Sequence, residues 1–368
     1  MSPPIKVGIV GYGSSANIFH LPYILPNPDL QVHAFLQRAE APQGQVEPSK
    51  HCTVEYPQAK HYRTAEDFFA DSDIELVIVC TGHSTHATFA EQALLAGKHV
   101  VVEKPFTITS AEADHLIATS KETNKILTCF QNRRYDSDFL TLQHLTSQNS
   151  FGKITEFENH YSVDNPPWIH NSKNSTAQPG DGLLYGLGSH SIDQTLLLFG
   201  LPNKITAFTR SLLVSNGADD SFTIILQYAG SDLLVTIKTT VVVPLPPHKI
   251  LKYRVLGTEG TFHKYGEDVQ VEQFFEGVHV KDAEKFGVEP DRCHGYLSTR
   301  ATDGSRFDGV VKSQRGRYTD YYRDVVAAIR GQKEVVVKPE EARNVIRLIE
   351  LARESAEKGV MVDWSDGR

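Results

Sequence analysis

Basic charge is in short supply in this chain. Against 45 aspartates and glutamates stand 37 lysines and arginines, a formal net charge of −8 over 368 residues. A nucleic-acid surface needs a basic footprint, so no nucleic-acid partner is expected. Long apolar runs are missing too. None approaches the roughly 20 residues a membrane span requires, so no membrane partner is expected. The segment after Met1 enters a strand pattern almost at once, without the apolar core of a signal peptide. Cysteine is sparse: Cys52, Cys80, Cys129 and Cys293 are far apart and form no CxxC pair. Cys80 and Cys129 lie in apolar runs and read as buried thiols, which fits a reducing, cytoplasmic setting. His83 and His86 have a spacing that suggests a metal, but no carboxylate or third ligand stands near them, and no metal is expected. Repeats and low-complexity segments are absent.

What is present is an ordinary soluble composition, 40% hydrophobic and 22% charged, on a chain long enough for two domains. Residues 5–10 form a short apolar strand. Gly11, Gly13 and Ala16 follow it as G-x-G-x-x-A, and a helical pattern follows that. Gly11 permits the tight turn, Gly13 lets the backbone approach a pyrophosphate, and Ala16 allows close helix–strand packing. The setting of strand, turn and helix makes this a dinucleotide site. Residues 31–36 are the second strand. An NAD site would have an acid near its end; this chain has Gln37 and Arg38. An arginine pairs with a 2′-phosphate, so NADP(H) is expected over NAD(H). Residues 39–60 lack periodicity and read as a loop. A strand at 74–80 exits into a loop reaching His86, which reads as lining the cofactor.

The next strand, His99 to Glu103, is an apolar β-branched run ending in Glu103, Lys104 and Pro105. Pro105 has no N–H to donate and biases Lys104 away from helix, so the strand stops there. Glu103 and Lys104 are thereby placed at the carboxyl edge of a sheet, where open α/β sheets bind ligands. A partly desolvated lysine there suits proton transfer. Thr109 and Glu112 form a capping box that starts a helix. A fifth strand at 125–130 completes a doubly wound parallel sheet. Residues 1–130 are therefore read as a dinucleotide-binding Rossmann domain, and 131–368 as an α/β domain for substrate binding and oligomerisation.

Beyond 130 the pattern changes. Residues 136–147 and 182–199 look helical, and 164–181, containing Trp168, read as a pocket loop or lid. Runs at 204–214, 221–228, 232–243 and 249–257 follow one another without intervening helices, which predicts a large, mostly antiparallel open sheet. Residues 265–316 show no clear pattern. Two helices close the chain, near 318–330 and 339–357. An uncovered apolar sheet face predicts a homo-oligomer, with a dimer as the minimum.

Gly11 to Ala16, then Glu103, Lys104 and Pro105, then Gly188, Ser189, His190, Ile192 and Asp193 carry a likeness to a known family. The chain resembles the glucose–fructose oxidoreductase/inositol dehydrogenase/rhizopine catabolism (Gfo/Idh/MocA) family nearly end to end. Phe19, His20 and Pro22, the run from Asn132 to Phe139, and Leu184 to Gln194 look most like its NADP-preferring scyllo-inositol dehydrogenase branch. The resemblance implies a hydride transfer between nicotinamide and a secondary alcohol or carbonyl of a sugar, polyol or inositol-like substrate. It implies that Lys104 anchors substrate and assists proton transfer, that His190 is the acid/base, and that Asp193 binds substrate or orients the site. Asn132, Arg133, Tyr161, Trp168 and Tyr318 are candidates for the pocket. The family usually has aspartate four residues before the histidine; this chain has Gly186. On one helix Gly186, His190 and Asp193 would share a face. That departure keeps two alternatives open: a non-catalytic dinucleotide-binding regulator, and a reductase of a non-sugar carbonyl or imine.

Overall fold

The computed structural model describes residues 2–44, 47, 50–169, 176–300 and 304–367. In chain order the first elements are β1 Ile5–Val10, α1 Leu21–Ile24, β2 Leu30–Leu36, α2 Cys52–Glu55, β3 Lys60–Tyr62 and α3 Ala65–Ala70. Then come β4 Leu76–Val79, α4 His86–Leu95, β5 His99–Val102, α5 Ser110–Thr123, β6 Leu127–Cys129 and α6 Ser137–Ser147. The middle of the chain holds β7 Ile154–His160, α7 Leu183–Gly186, α8 Gly188–Phe199, β8 Lys204–Arg210, β9 Ser221–Gln227 and β10 Leu234–Thr239. The remainder is β11 Leu251–Gly257, β12 Gly260–Tyr265, α9 Gln270–Phe275, β13 Gly295–Arg300, β14 Arg306–Val311, α10 Tyr318–Ile329, α11 Pro339–Lys358 and β15 Val362–Asp363.

Two compact units result. The first is Met1–Asn132 with Val271–Phe286 and Tyr318–Arg343; the second is Arg133–Gln270 with Gly287–Arg317 and Asn344–Arg368. In the first, six strands pair in the order β3-β2-β1-β4-β5-β6, all parallel. Strands covered on both faces need apolar side chains on both, which is why β4 reads Leu-Val-Ile-Val with every residue buried. The stretch 39–60 read as loop holds the short helix α2, Cys52–Glu55, and β3 starts at its last residue, Lys60. The three residues of β3, Lys60 to Tyr62, are half-buried or exposed, too short and polar to show a period. Helix α5 starts on its capping box: Thr109 accepts from the Glu112 N–H, and Glu112 accepts from the Thr109 N–H. Helix α10, far away in sequence, packs within this unit. Its Tyr321 hydroxyl donates to the Cys129 carbonyl at 2.9 Å, and Phe130 meets the Tyr321 ring edge-on at 4.7 Å.

The second unit is built on nine strands in the order β14-β13-β12-β11-β7-β10-β9-β8-β15. Every pairing is antiparallel except β7 with β10. Two strands, β13 and β14, come from the region whose sequence showed no pattern; residues 301–303 of that region lie outside the described residues. One sheet face is buried, with Phe157, Ile205, Ile224, Val235, Tyr253 and Phe262 pointing into it. Asn159 on that face donates to the Ser191 carbonyl of α8, and Ser355 of α11 accepts from the Ala207 N–H. The other face is mixed rather than apolar. Arg254 pairs there with Glu158 at 2.6 Å, while Phe208 and Leu234 are exposed. The expectation of a uniformly apolar open face is therefore corrected: alternate outward positions on β7 and β11 are charged.

Candidate active site

In the first unit the turn after β1 is shaped by glycine. Gly11 has φ +95°, and a Cβ there would lie 2.8 Å from the Cys80 carbonyl oxygen. Only glycine fits. At Gly13 an added Cβ meets nothing within 4 Å, so the backbone borders open space that a ligand can approach. Ala16 is fully buried at the start of a π-type turn, Ala16–His20, that runs into α1. Beside this turn a cavity of about 800 Å³ is lined by Gly11, Arg38, Arg63, Thr64, Thr81 and Gly82. Among the described residues the Arg38 guanidinium has no hydrogen-bond or ion-pair partner. A glycine cradle and an uncompensated guanidinium in one cavity fit a dinucleotide carrying a 2′-phosphate.

At the end of β5 the carboxylate of Glu103 is only 6% exposed. It accepts from the Ser15 hydroxyl at 2.5 Å and from the Lys104 N–H at 2.7 Å, and it lies 3.3 Å from His20 Nε2. The other ring nitrogen of His20 lies 2.5 Å from the Tyr322 hydroxyl. Burial by itself pushes the Glu103 carboxyl up. The hydrogen bond and charge of His20, then Lys104 and Ser15, outweigh burial and hold it down at about 2. Glu103 thus links the glycine-turn helix to the backbone of Lys104, a half-buried residue whose bond to Pro105 is cis. His86 is fully buried, with Nδ1 2.8 Å from the Pro105 carbonyl and Nε2 3.1 Å from the Thr81 carbonyl. Burial lowers its pKa against the pull of those carbonyls. It braces the exit loop of β4 against the Lys104–Pro105 turn, so it shapes the cavity wall from behind. Asn132 and Tyr318 are also buried in this unit, Tyr318 edge-on to Tyr23.

In the second unit the helix expected over 182–199 is broken. α7 ends at Gly186 and α8 begins at Gly188, with Leu187 at φ −102° between them. His190 and Asp193 share α8, but Gly186 belongs to the preceding turn, so one continuous face for all three is corrected. Asp193 is 2% exposed, and its two oxygens receive a fork from Arg134 at 2.7 and 2.6 Å. His190 is 4% exposed, its ring centre 6.0 Å from that of Tyr161. Arg133 lies over the same Tyr161 ring at 4.7 Å and is 3.1 Å from Asp136 and 3.7 Å from Glu267. Trp168 is 46% exposed. Residues 170–175 of the expected lid lie outside the described residues.

Sequence reasoning passed over two members of this cluster. Lys252 is buried, its ammonium 4.6 Å from the Tyr161 ring centre and 5.2 Å from that of Tyr253. Among the described residues it meets no hydrogen-bond acceptor. Glu267 is half-buried, and desolvation raises its pKa against the pull of Arg133 and Lys252. The charge of Lys252 inside a strand was the available signal; Glu267 lay in the unread region. Donors and acceptors so grouped around a histidine and a tyrosine can hold the oxygens of a small polar molecule.

Comparisons with known proteins agree with this geometry. Residues 5–131 match the oxidoreductase family model for the NAD-binding Rossmann fold, and residues 144–363 match that family's C-terminal alpha/beta domain. The uncharacterized oxidoreductase YdgJ of Escherichia coli is 33% identical over 97% of both chains. IolW of Bacillus subtilis, a scyllo-inositol 2-dehydrogenase (NADP(+)), is 33% identical over 96% of this chain and 94% of its own. The structure of an oxidoreductase from Bacillus cereus superimposes with a TM-score of 0.87 at 30% identity, covering 98% of this chain and 99% of that one. With residues 5–131 and 144–363 both matched, the chain belongs to the Gfo/Idh/MocA family of NAD(P)-dependent oxidoreductases.

Proposed function

We propose that this oxidoreductase uses NADP(H) and transfers a hydride between the nicotinamide and a secondary alcohol or carbonyl carbon of a sugar, polyol or inositol-like substrate. Arg38 carries the cofactor preference: its guanidinium, without a partner among the described residues, lines the cavity where an NAD site would hold an acid. The NADP(+) named for IolW supports the same preference, and its scyllo-inositol supports the substrate class. The nicotinamide, when bound, supplies or accepts the hydride.

The chain's own residues do the rest. Gly11, Gly13 and Ala16 admit the pyrophosphate, and His86 and Glu103 hold the loop and turn beside it. Lys104 anchors the reacting oxygen and assists its proton transfer; its backbone is fixed by the Glu103 anion. His190 is the acid/base. Arg133, Tyr161, Trp168 and Asn132 contribute to the substrate pocket, joined by Lys252 and Glu267. Asp193 orients the site through Arg134. The working form is a cytoplasmic homo-oligomer without a metal.

An absorbance screen at the nicotinamide band tests this, with NADPH and NADP⁺, NADH and NAD⁺, against polyols, sugars and carbonyl compounds. NADP(H)-linked turnover of a polyol or its ketone is expected. Turnover with NAD(H) alone, or none in the panel, would sink the reading.

A further inference from the structure

We infer that Arg63 is the second cation of a two-arginine clamp for the 2′-phosphate, and that Glu40 weakens the clamp by competing for Arg63. The inference rests on the NADP(H) reading. Strands β2 and β3 pair in parallel with Leu36 beside Tyr62, so Arg38 and Arg63 emerge just past two adjacent strand ends. Both line the same cavity. Arg63 Nε donates to the Arg38 carbonyl at 3.2 Å, which ties the two segments together. Its Nη1 donates to the Glu40 carboxylate at 2.8 Å.

Charge balance favours the clamp. A 2′-phosphate carries nearly two negative charges and three acceptor oxygens, which one guanidinium does not balance. Among the described residues Arg38 has no ionic partner, and the ionic partner of Arg63 is the exposed Glu40. Their side chains, 54% exposed for Arg63 and 78% for Glu40, make that pair a solvated one of small net strength. A phosphate dianion in the cavity offers Arg63 a forked partner of higher charge, so the pair with Glu40 opens at little cost. NADH has a hydroxyl at this position and offers no such exchange. Glu40 therefore subtracts from NADPH affinity alone.

Binding without catalysis tests this. NADPH, NADH and 2′,5′-ADP are titrated against the wild type and the Arg38→Ala, Arg63→Ala, Arg63→Lys and Glu40→Gln variants. Arg63→Ala should weaken NADPH and 2′,5′-ADP about tenfold, as loss of a charged hydrogen bond does, and leave NADH unchanged. Arg63→Lys should keep part of the affinity. Glu40→Gln should tighten NADPH about threefold without altering NADH. Equal weakening of both cofactors by Arg63→Ala would make Arg63 a mere brace of the Arg38 loop and overturn the clamp. An unchanged NADPH affinity in Arg63→Ala, with a loss in Arg38→Ala, overturns the clamp and leaves the NADP(H) reading standing. An unaltered affinity in Glu40→Gln overturns the competition. A wild type preferring NADH overturns both readings together.

Discussion

Glu103 shows how a buried acid stays ionised when its donors are in place. Its folded pKa of about 2 lies below the ordinary 4.5. A depressed carboxylate stabilises the fold fully above its unfolded pKa, and that contribution fades as pH falls from about 4.5 to about 2. Glu103→Gln should therefore cost on the order of 3 kcal/mol at pH 7, with the gap to wild type closing near pH 2. Urea unfolding across that range measures it; a gap that ignores pH would show that the carboxylate does not titrate between the two states. Lys104 and His190 call for a different readout. Alanine at either position should remove most turnover while NADPH titrates nearly as in wild type. Full turnover in these variants would refute their roles. At Gly186 an added Cβ would meet the Leu183 side chain at an ordinary 3.8 Å, so the position has room for a side chain. We propose that glycine here leaves the substrate site without an acceptor an aspartate would add, which suits a bulkier or less hydroxylated substrate than inositol. Gly186→Asp should then raise activity on polyols and lower it on the natural substrate, as a comparison of kcat/KM on both will show.

At the scale of elements, the fork between Arg134 and Asp193 ties the turn at Asn132–Tyr135 to α8. Both side chains are almost fully buried. Removing one partner strands the other charge without water, so Arg134→Ala should cost about 3–5 kcal/mol. The double variant Arg134→Met with Asp193→Leu should recover most of that, since packed apolar side chains replace the pair. Chemical denaturation of the single and double variants separates a structural fork from a loosely held pair. The start of α5 was legible beforehand, because a capping box is local: Thr109 and Glu112 are three residues apart and satisfy each other's backbone. The break at Leu187 was not legible. Gly186 and Gly188 flank the break and weaken the helix without dictating that it part there, while the first N–H groups of α7, those of Leu183 and Leu184, donate to the Asp219 carbonyl and carboxylate.

At the scale of the molecule, the open face of the nine-stranded sheet predicts assembly. It mixes the ion pairs of Arg254 with Glu156 and Glu158 and exposed Phe208 and Leu234. Such a face suits a self-complementary contact with a second copy, where charge fixes the register. Light scattering at micromolar concentration should give at least a dimer mass. A monomer would remove the proposal, and Arg254→Glu should shift a dimer toward monomer.

The sequence alone determined the parallel half of this protein, its glycine turn and the edge that ends in Lys104. Those features are written in short windows: a strand buried on both faces must be apolar throughout, a turn at φ +95° must be glycine, and proline must end a strand. Tertiary structure alone decided the rest. Lys264 and Glu289 are both fully shielded from solvent and meet at 3.1 Å, though read singly each looks like a surface charge. Lys252 is likewise buried by two tyrosines, one of them 91 positions away in the chain by number, Tyr161. A charge can leave water only where partners gather around it. Those partners come from distant strands, and no local pattern records which strands will meet.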